Sequence, residues 1–117
     1  MKLKAIQLFI LMYCVLDDLW VKTKNDKLSI YLSEANPFLC EEGSAEPALY
    51  IDFKKQFNEE KEYDDYGYSF LINYFKKLDN YYGDILSIFK TVSKDEYINK
   101  TKNNMTLTHE ELKKQHI

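Results

Sequence analysis

The sequence predicts an all-α fold, a single-domain bundle of five to seven helices, and three observations carry that expectation. No stretch sustains period-two alternation of apolar and polar residues, and hairpin dipeptides such as Asn-Gly are absent. Apolar residues instead recur at helical spacing, as at Leu3, Ile6, Ile10 and Tyr13, in an opening run to Trp20 that holds neither Gly nor Pro. Helix-start signatures follow at intervals, each a short polar side chain placed to accept the orphan amides of a first turn. Only "SIYL" at 29–32 and "ALYIDF" at 48–53 have the composition for a strand.

The first helix, Leu3 to Trp20, is also apolar at Phe9, Met12 and Leu19, so it is greasy around most of its circumference and belongs at the centre of the bundle. Its start, "MKLK" before "AIQLFILMYCVL", has the charge pattern of a signal peptide. The run ends in "DDLW" with no small-x-small cleavage site, and the bulky Tyr13 precedes Cys14 where a lipoprotein signal needs a small residue. It is also shorter than the roughly 20 apolar residues that cross a bilayer. A buried helix in a cytoplasmic protein is the expectation.

Asn25 or Asp26 caps a second helix, "DKLSIYLSEA", which must stop before Pro37 because the residue preceding proline disfavours helical geometry. "NPFLCEEGSAEP" is a loop. Pro47 suits the first turn of a third helix, with Leu49, Tyr50, Phe53 and Phe57 as its stripe. A fourth begins near Asp64 or Asp65 and carries Phe70, Leu71, Tyr74, Phe75 and Leu78. Gly83 and Asp84 punctuate before a fifth segment, "ILSIFKTV". Capping boxes, Ser93 with Glu96 and Thr108 with Glu111, open the last two. Residues 1–104 thus form the helical domain, and 105–117, anchored only by Leu107 and Leu112, a loosely attached tail or short helix.

One internal echo stands out. At an offset of 62 residues, Leu16-Asp17-Asp18 lies over Leu78-Asp79-Asn80, Phe9, Ile10 and Tyr13 lie over Leu71, Ile72 and Phe75, and "DKLSIY" answers "DILSIF". Convergence of capped amphipathic helices accounts for this; the sharper alternative is a bundle of two pseudo-repeated halves whose long helices pack antiparallel, with the aspartates at helix ends.

All sixteen basic residues are Lys. An AT-rich coding bias explains that, and the lack of Arg also weighs against nucleic-acid or phosphate recognition. The net charge of −3 gives no general attraction to polyanions or anionic membranes. His109 and His116 lie in the tail and are expected on a solvated helix, so no general base is placed. Cys14 and Cys40 lack metal-ligand spacing and are expected as free thiols. The adjacent pairs Asp17-Asp18 and Asp64-Asp65 point about 100 degrees apart on a helix, so caps are expected rather than metal ligands. "DDYGYSF" is not a calcium loop, and no phosphate loop occurs. The expectation is a protein that is not an enzyme and takes no metal or cofactor.

What remains is "NEEKEYDDYGY". Glu59, Glu60, Glu62, Asp64 and Asp65 would steer a basic partner, and Tyr63, Tyr66 and Tyr68 would supply rigid contact area. A solvated connection between helices is the plainer account. Trp20, Tyr81 and Tyr82, at the matching helix ends, would extend a protein-binding edge.

"DDLWVKTKNDKLSIYLSEANP" with "GSAEPALYIDF", spanning Asp17 to Phe53, resembles a loose pattern in small bacterial proteins of the size of immunity proteins from toxin systems. The resemblance implies a protein that binds and blocks a basic toxin. Two other classes stay open: a small ligand-binding protein or enzyme with a pocket between the repeated helices, and a homodimer formed through exposed aromatics.

Overall fold

The computed structural model describes residues 1–39 and 41–116, so the expectation for Cys40 lies outside the described residues. Seven α-helices are present among them: α1 (Ala5–Thr23), α2 (Asp26–Ala35), α3 (Pro47–Gln56), α4 (Tyr68–Leu78), α5 (Ile85–Phe89), α6 (Lys94–Met105) and α7 (His109–His116), with a 3₁₀ turn at Pro37–Leu39. No strand occurs among the described residues, and both candidate strand segments are helical. The Cα radius of gyration is 13.0 Å, the value of one packed body at this length.

Helix α1 organises the rest. Ten of its residues, from Ala5 to Leu19, are buried, and they cover most of the helix circumference. An apolar cylinder of that kind is stable only when wrapped, and α2, α3, α5, α6, α7 and the 3₁₀ turn all pack on it. The helix ends at Lys24, in the left-handed conformation, whose amide donates to the Trp20 carbonyl.

Aromatic rings join the wrapping helices to one another. Phe53, fully buried, meets Phe9 (5.1 Å between centroids), Phe70 (5.4 Å) and Tyr74 (5.0 Å) edge to face, and it stacks on Phe57. That geometry sets the positive ring edge against the negative face of the neighbour, which adds to simple burial. A second cluster, Phe75, Phe89, Tyr97 and Tyr68, ties α4 to α5 and α6. Helix α4 belongs to both clusters through the Tyr74–Phe75 contact.

The capping signatures mark real helix starts. Asn25 accepts from the Leu28 amide at 3.0 Å, Ser93 from Glu96 at 3.1 Å, and Thr108 from Glu111 at 3.1 Å. Pro47 occupies the first turn of α3.

The internal echo is realised unequally. In the second copy Asp79 follows the end of α4, and its carboxylate reaches across the turn to accept from the amides of Ile85 and Leu86, capping α5. In the first copy α1 runs on to Thr23, which places Asp17 and Asp18 inside the helix. The expectation that they cap a helix is therefore corrected. Nor are α1 and α4 a principal packing pair; α4 leans chiefly on α5 and α6. The two copies are linked directly by Lys27 and Asp84, 3.2 Å apart.

The tail is helix α7, held to α1 through the buried Leu112. His116 corrects the expectation of solvated histidines: its side chain is 4% exposed, stacks on Phe38, and has Nδ1 2.6 Å from Asp17 Oδ2. His109 is exposed.

Gly67 brings the loop into close contact with the core. Its φ is +85°, and a Cβ there would lie 2.8 Å from a Leu8 methyl on α1. Gly67→Ala should cost about 1–3 kcal/mol from left-handed strain and overpacking. Urea unfolding measures this; an unchanged midpoint would contradict the close approach.

Candidate functional site

The segment from Phe57 to Gly67 has no helix of its own, yet most of its polar groups are committed. Glu59 Oε2 accepts from the Ala5 amide at 2.7 Å, so a side chain 54 residues away caps α1, whose own N-cap, Lys4, provides no side-chain acceptor. The Tyr63 amide donates to the Met1 carbonyl at 2.7 Å, the Met1 amino group lies 2.8 Å from Glu62, and Lys2 reaches Glu60 at 3.4 Å. The acidic run is thus a clasp on the strand of chain that leads into α1. Its neighbouring cation lowers the pKa of Glu62 through a hydrogen bond and its charge.

Asp65 performs the corresponding task for α4. It accepts from the amides of Gly67 (3.1 Å) and Ser69 (2.9 Å) and from the Ser69 hydroxyl (2.7 Å). Partial burial pushes its pKa up, and these bonds more than reverse that, leaving it below the ordinary carboxylate value.

The two tyrosines of the segment, and Tyr68 at the start of α4, turn inward. Tyr63 is buried, stacks on Phe57 and donates to the Asn58 carbonyl. Tyr66, at φ 56°, offers its carbonyl to Tyr97 Oη at 2.7 Å and lies under the Lys102 ammonium. Tyr68 packs on Phe89 and Tyr97. Of the acidic run, Glu60, Glu62 and Asp64 stay exposed.

Two depressions lie beside this clasp and share Gln56 in their linings. One, of about 470 Å³, is an acidic groove lined by Glu62, Asp64 and Asp65 together with Lys61 and Lys94. The other, of about 350 Å³, is a mostly apolar cleft between α3 and the end of α4, where Tyr74, Tyr81 and Tyr82 meet Leu49 and Asp52. Gln56 spans the junction, donating to Asp52 at 2.9 Å and accepting from Lys77 at 3.3 Å.

The floor of the cleft is a network of phenols. Tyr74 and Tyr31 hydroxyls are 3.0 Å apart, Tyr31 meets Tyr82 edge to face, and Tyr82 Oη donates to Glu34. Burial raises the Tyr74 phenol to about 12 against the lowering effect of the Tyr31 bond, with Asp52 adding to the rise. Burial raises Tyr31 and Tyr82 as well, so these three phenols remain neutral hydrogen-bonding groups at any physiological pH. Tyr81 differs in being 86% exposed.

The sequence-predicted site residues therefore divide. Glu62, Tyr63, Asp64 and Asp65 line the groove, Tyr81 and Tyr82 line the cleft, and Glu59 and Glu60 hold the residues that lead into α1. Trp20 lines neither and lies under Lys24, with a buried indole N–H that has no partner among the described residues. Sequence reasoning missed Leu49, Asp52, Gln56 and Tyr74. The stripe of α3 made Leu49 visible as apolar, but nothing local says that Asp52 and Gln56, one turn apart, face the same cleft.

A third grouping joins the ends of the chain. Asp17, Asp18 and His116 present ligand atoms within 4.8 Å of one another. Lys100 pairs with Asp18 and His116 with Asp17, so protein cations or donors already occupy both carboxylates. Cys14, one turn before Asp17, is fully buried, and burial pushes its thiol up to about 12, which makes it a packing group rather than a nucleophile.

Comparison with protein-family models, with curated proteins and with solved structures returns no match to this chain.

The clasp separates its carboxylates by effect. Glu59→Ala should cost about 1–2 kcal/mol through the lost cap, while Glu60→Ala, in an exposed pair, should change the melting temperature little. Equal melting temperatures for the two variants would contradict the capping role of Glu59. Asp65, with its lowered folded-state pKa, contributes stability above its unfolded value that is lost as pH falls through the folded value. Asp65→Asn should flatten the acid side of the stability profile in that window; an unchanged slope would argue against the assignment.

Proposed function

We propose that this chain is a non-catalytic protein-binding protein that acts in the bacterial cytoplasm on a basic partner, in the manner of an immunity protein that occupies a toxin. The observation that supports this most is the junction at Gln56, where the acidic groove meets the tyrosine-lined cleft. A partner could set an anchor side chain into the cleft and a cationic neighbour over Asp64, which combines a desolvated centre with electrostatic steering. Tyr81 suits the anchor contact because a large rigid ring loses little entropy on binding. Exposed Ile51, on α3, adds apolar area on the same helix.

A second reading is favoured by the size of the cleft. At about 350 Å³ it lies within the roughly 300–1,000 Å³ range of small-molecule pockets. A self-association through Tyr81 is the third, and sedimentation of the purified chain separates it from the other two.

Binding to the product of the adjacent open reading frame tests the proposal. Asp64 is a cleaner probe than Asp65, which caps α4. Tyr81→Ala should weaken binding by about 2 kcal/mol, seen mainly as faster dissociation. Asp64→Lys should slow association, and more so at low salt. Failure of the wild-type chain to bind would sink the partner assignment, and wild-type affinity in both variants would remove this surface.

A further inference from the structure

The cleft between α3 and the end of α4 has a chemistry more specific than an apolar anchor site, and naming it rests on the protein-binding reading above. The hydroxyls of Tyr74 and Tyr82 are already engaged, by Tyr31 and Glu34. Tyr74 is buried and stacks on Phe70, so the ring surface on offer to an occupant is that of half-buried Tyr82 and exposed Tyr81, and an aromatic face carries the negative part of the ring quadrupole. Carboxylates reinforce that sign. Asp52 lies in the lining, and the charges of Glu34 and Glu46 act on the Tyr82 phenol. Lys77 is the opposing cation of the lining, and its ammonium is turned onto Gln56 Oε1. Asp52 spends one oxygen on Gln56 Nε2 and keeps acceptor capacity for a further donor.

Rings with a carboxylate beside them suit a planar cation, because a guanidinium stacks on an aromatic face while its N–H groups pair with the acid. An ammonium can do the second but cannot stack as a plane. The chain contains no arginine, so a second copy of it cannot supply that group. We propose that this cleft seats an arginine side chain of the protein partner, its guanidinium against the Tyr81 and Tyr82 rings and paired with Asp52.

Titration of the intact chain with N-acetyl-arginine methylamide, followed by amide and ring resonances, tests this directly. Saturable shifts confined to Asp52, Tyr74, Tyr81 and Tyr82 are expected. Tyr81→Ala should weaken the response about fivefold and Asp52→Asn about threefold. Both side chains are exposed, so the circular dichroism of each variant should match the parent. An equal response to the leucine analogue would overturn the cationic assignment, and an equal response to the lysine analogue would overturn the choice of arginine. Non-saturable shifts would overturn both. A partner that binds wild type and both variants alike would remove the cleft while leaving the protein-binding reading standing. A chain that takes the arginine probe but not the adjacent gene product would reverse that outcome.

Discussion

Everything in this molecule depends on burying a helix that has almost no polar side. Helix α1 carries buried residues from Ala5 to Leu19 over most of its circumference, and such a cylinder in water must be covered on more than one side. The coverage comes from short helices, none longer than the 12 residues of α6, and short helices are marginal alone. Their stability is borrowed from α1 and from the aromatic contacts that join them. Phe53 shows the arrangement: one fully buried ring on α3 touches residues of α1 and α4 and closes the seam between them.

The same constraint accounts for the acidic segment. A central helix needs its first turn capped, yet Lys4 provides no side-chain acceptor. Glu59 supplies one from the loop, and Tyr63, Glu60 and Glu62 fasten the residues that precede the helix. Fixing that loop has a consequence for the surface. It stands the groove of Asp64 and Asp65 beside the cleft of Tyr74, Tyr81 and Tyr82, with Gln56 bridging Asp52 and Lys77 at the join. The surface proposed for binding is therefore a product of how the core helix is capped.

Local signals in the sequence were legible where the physics is local. Asn25, Ser93 and Thr108 cap amides three residues onward, and each could be recognised from the residue types alone. The central place of α1 followed from its hydrophobicity. Contacts between distant residues were not legible: Glu59 meets Ala5 across 54 positions, and His116 meets Asp17 across 99. Leu-Asp-Asp at Asp17 looks like a stop, whereas the helix continues to Thr23 before the left-handed Lys24 terminates it. The candidate site divides in the same way. Tyr81 and Tyr82 were visible as aromatics at a turn, while Asp52 and Gln56 acquired their place only when α3 was laid against α4.

The surface around Gln56 is where we propose that a partner binds. Hydrogen exchange of the chain alone and with the product of the adjacent open reading frame tests it most directly. New protection should appear in α3, in the segment 61–65 and in the turn 78–82, with α6 and α7 unchanged. Protection confined to α6 and α7, or none in the presence of a bound partner, would contradict it.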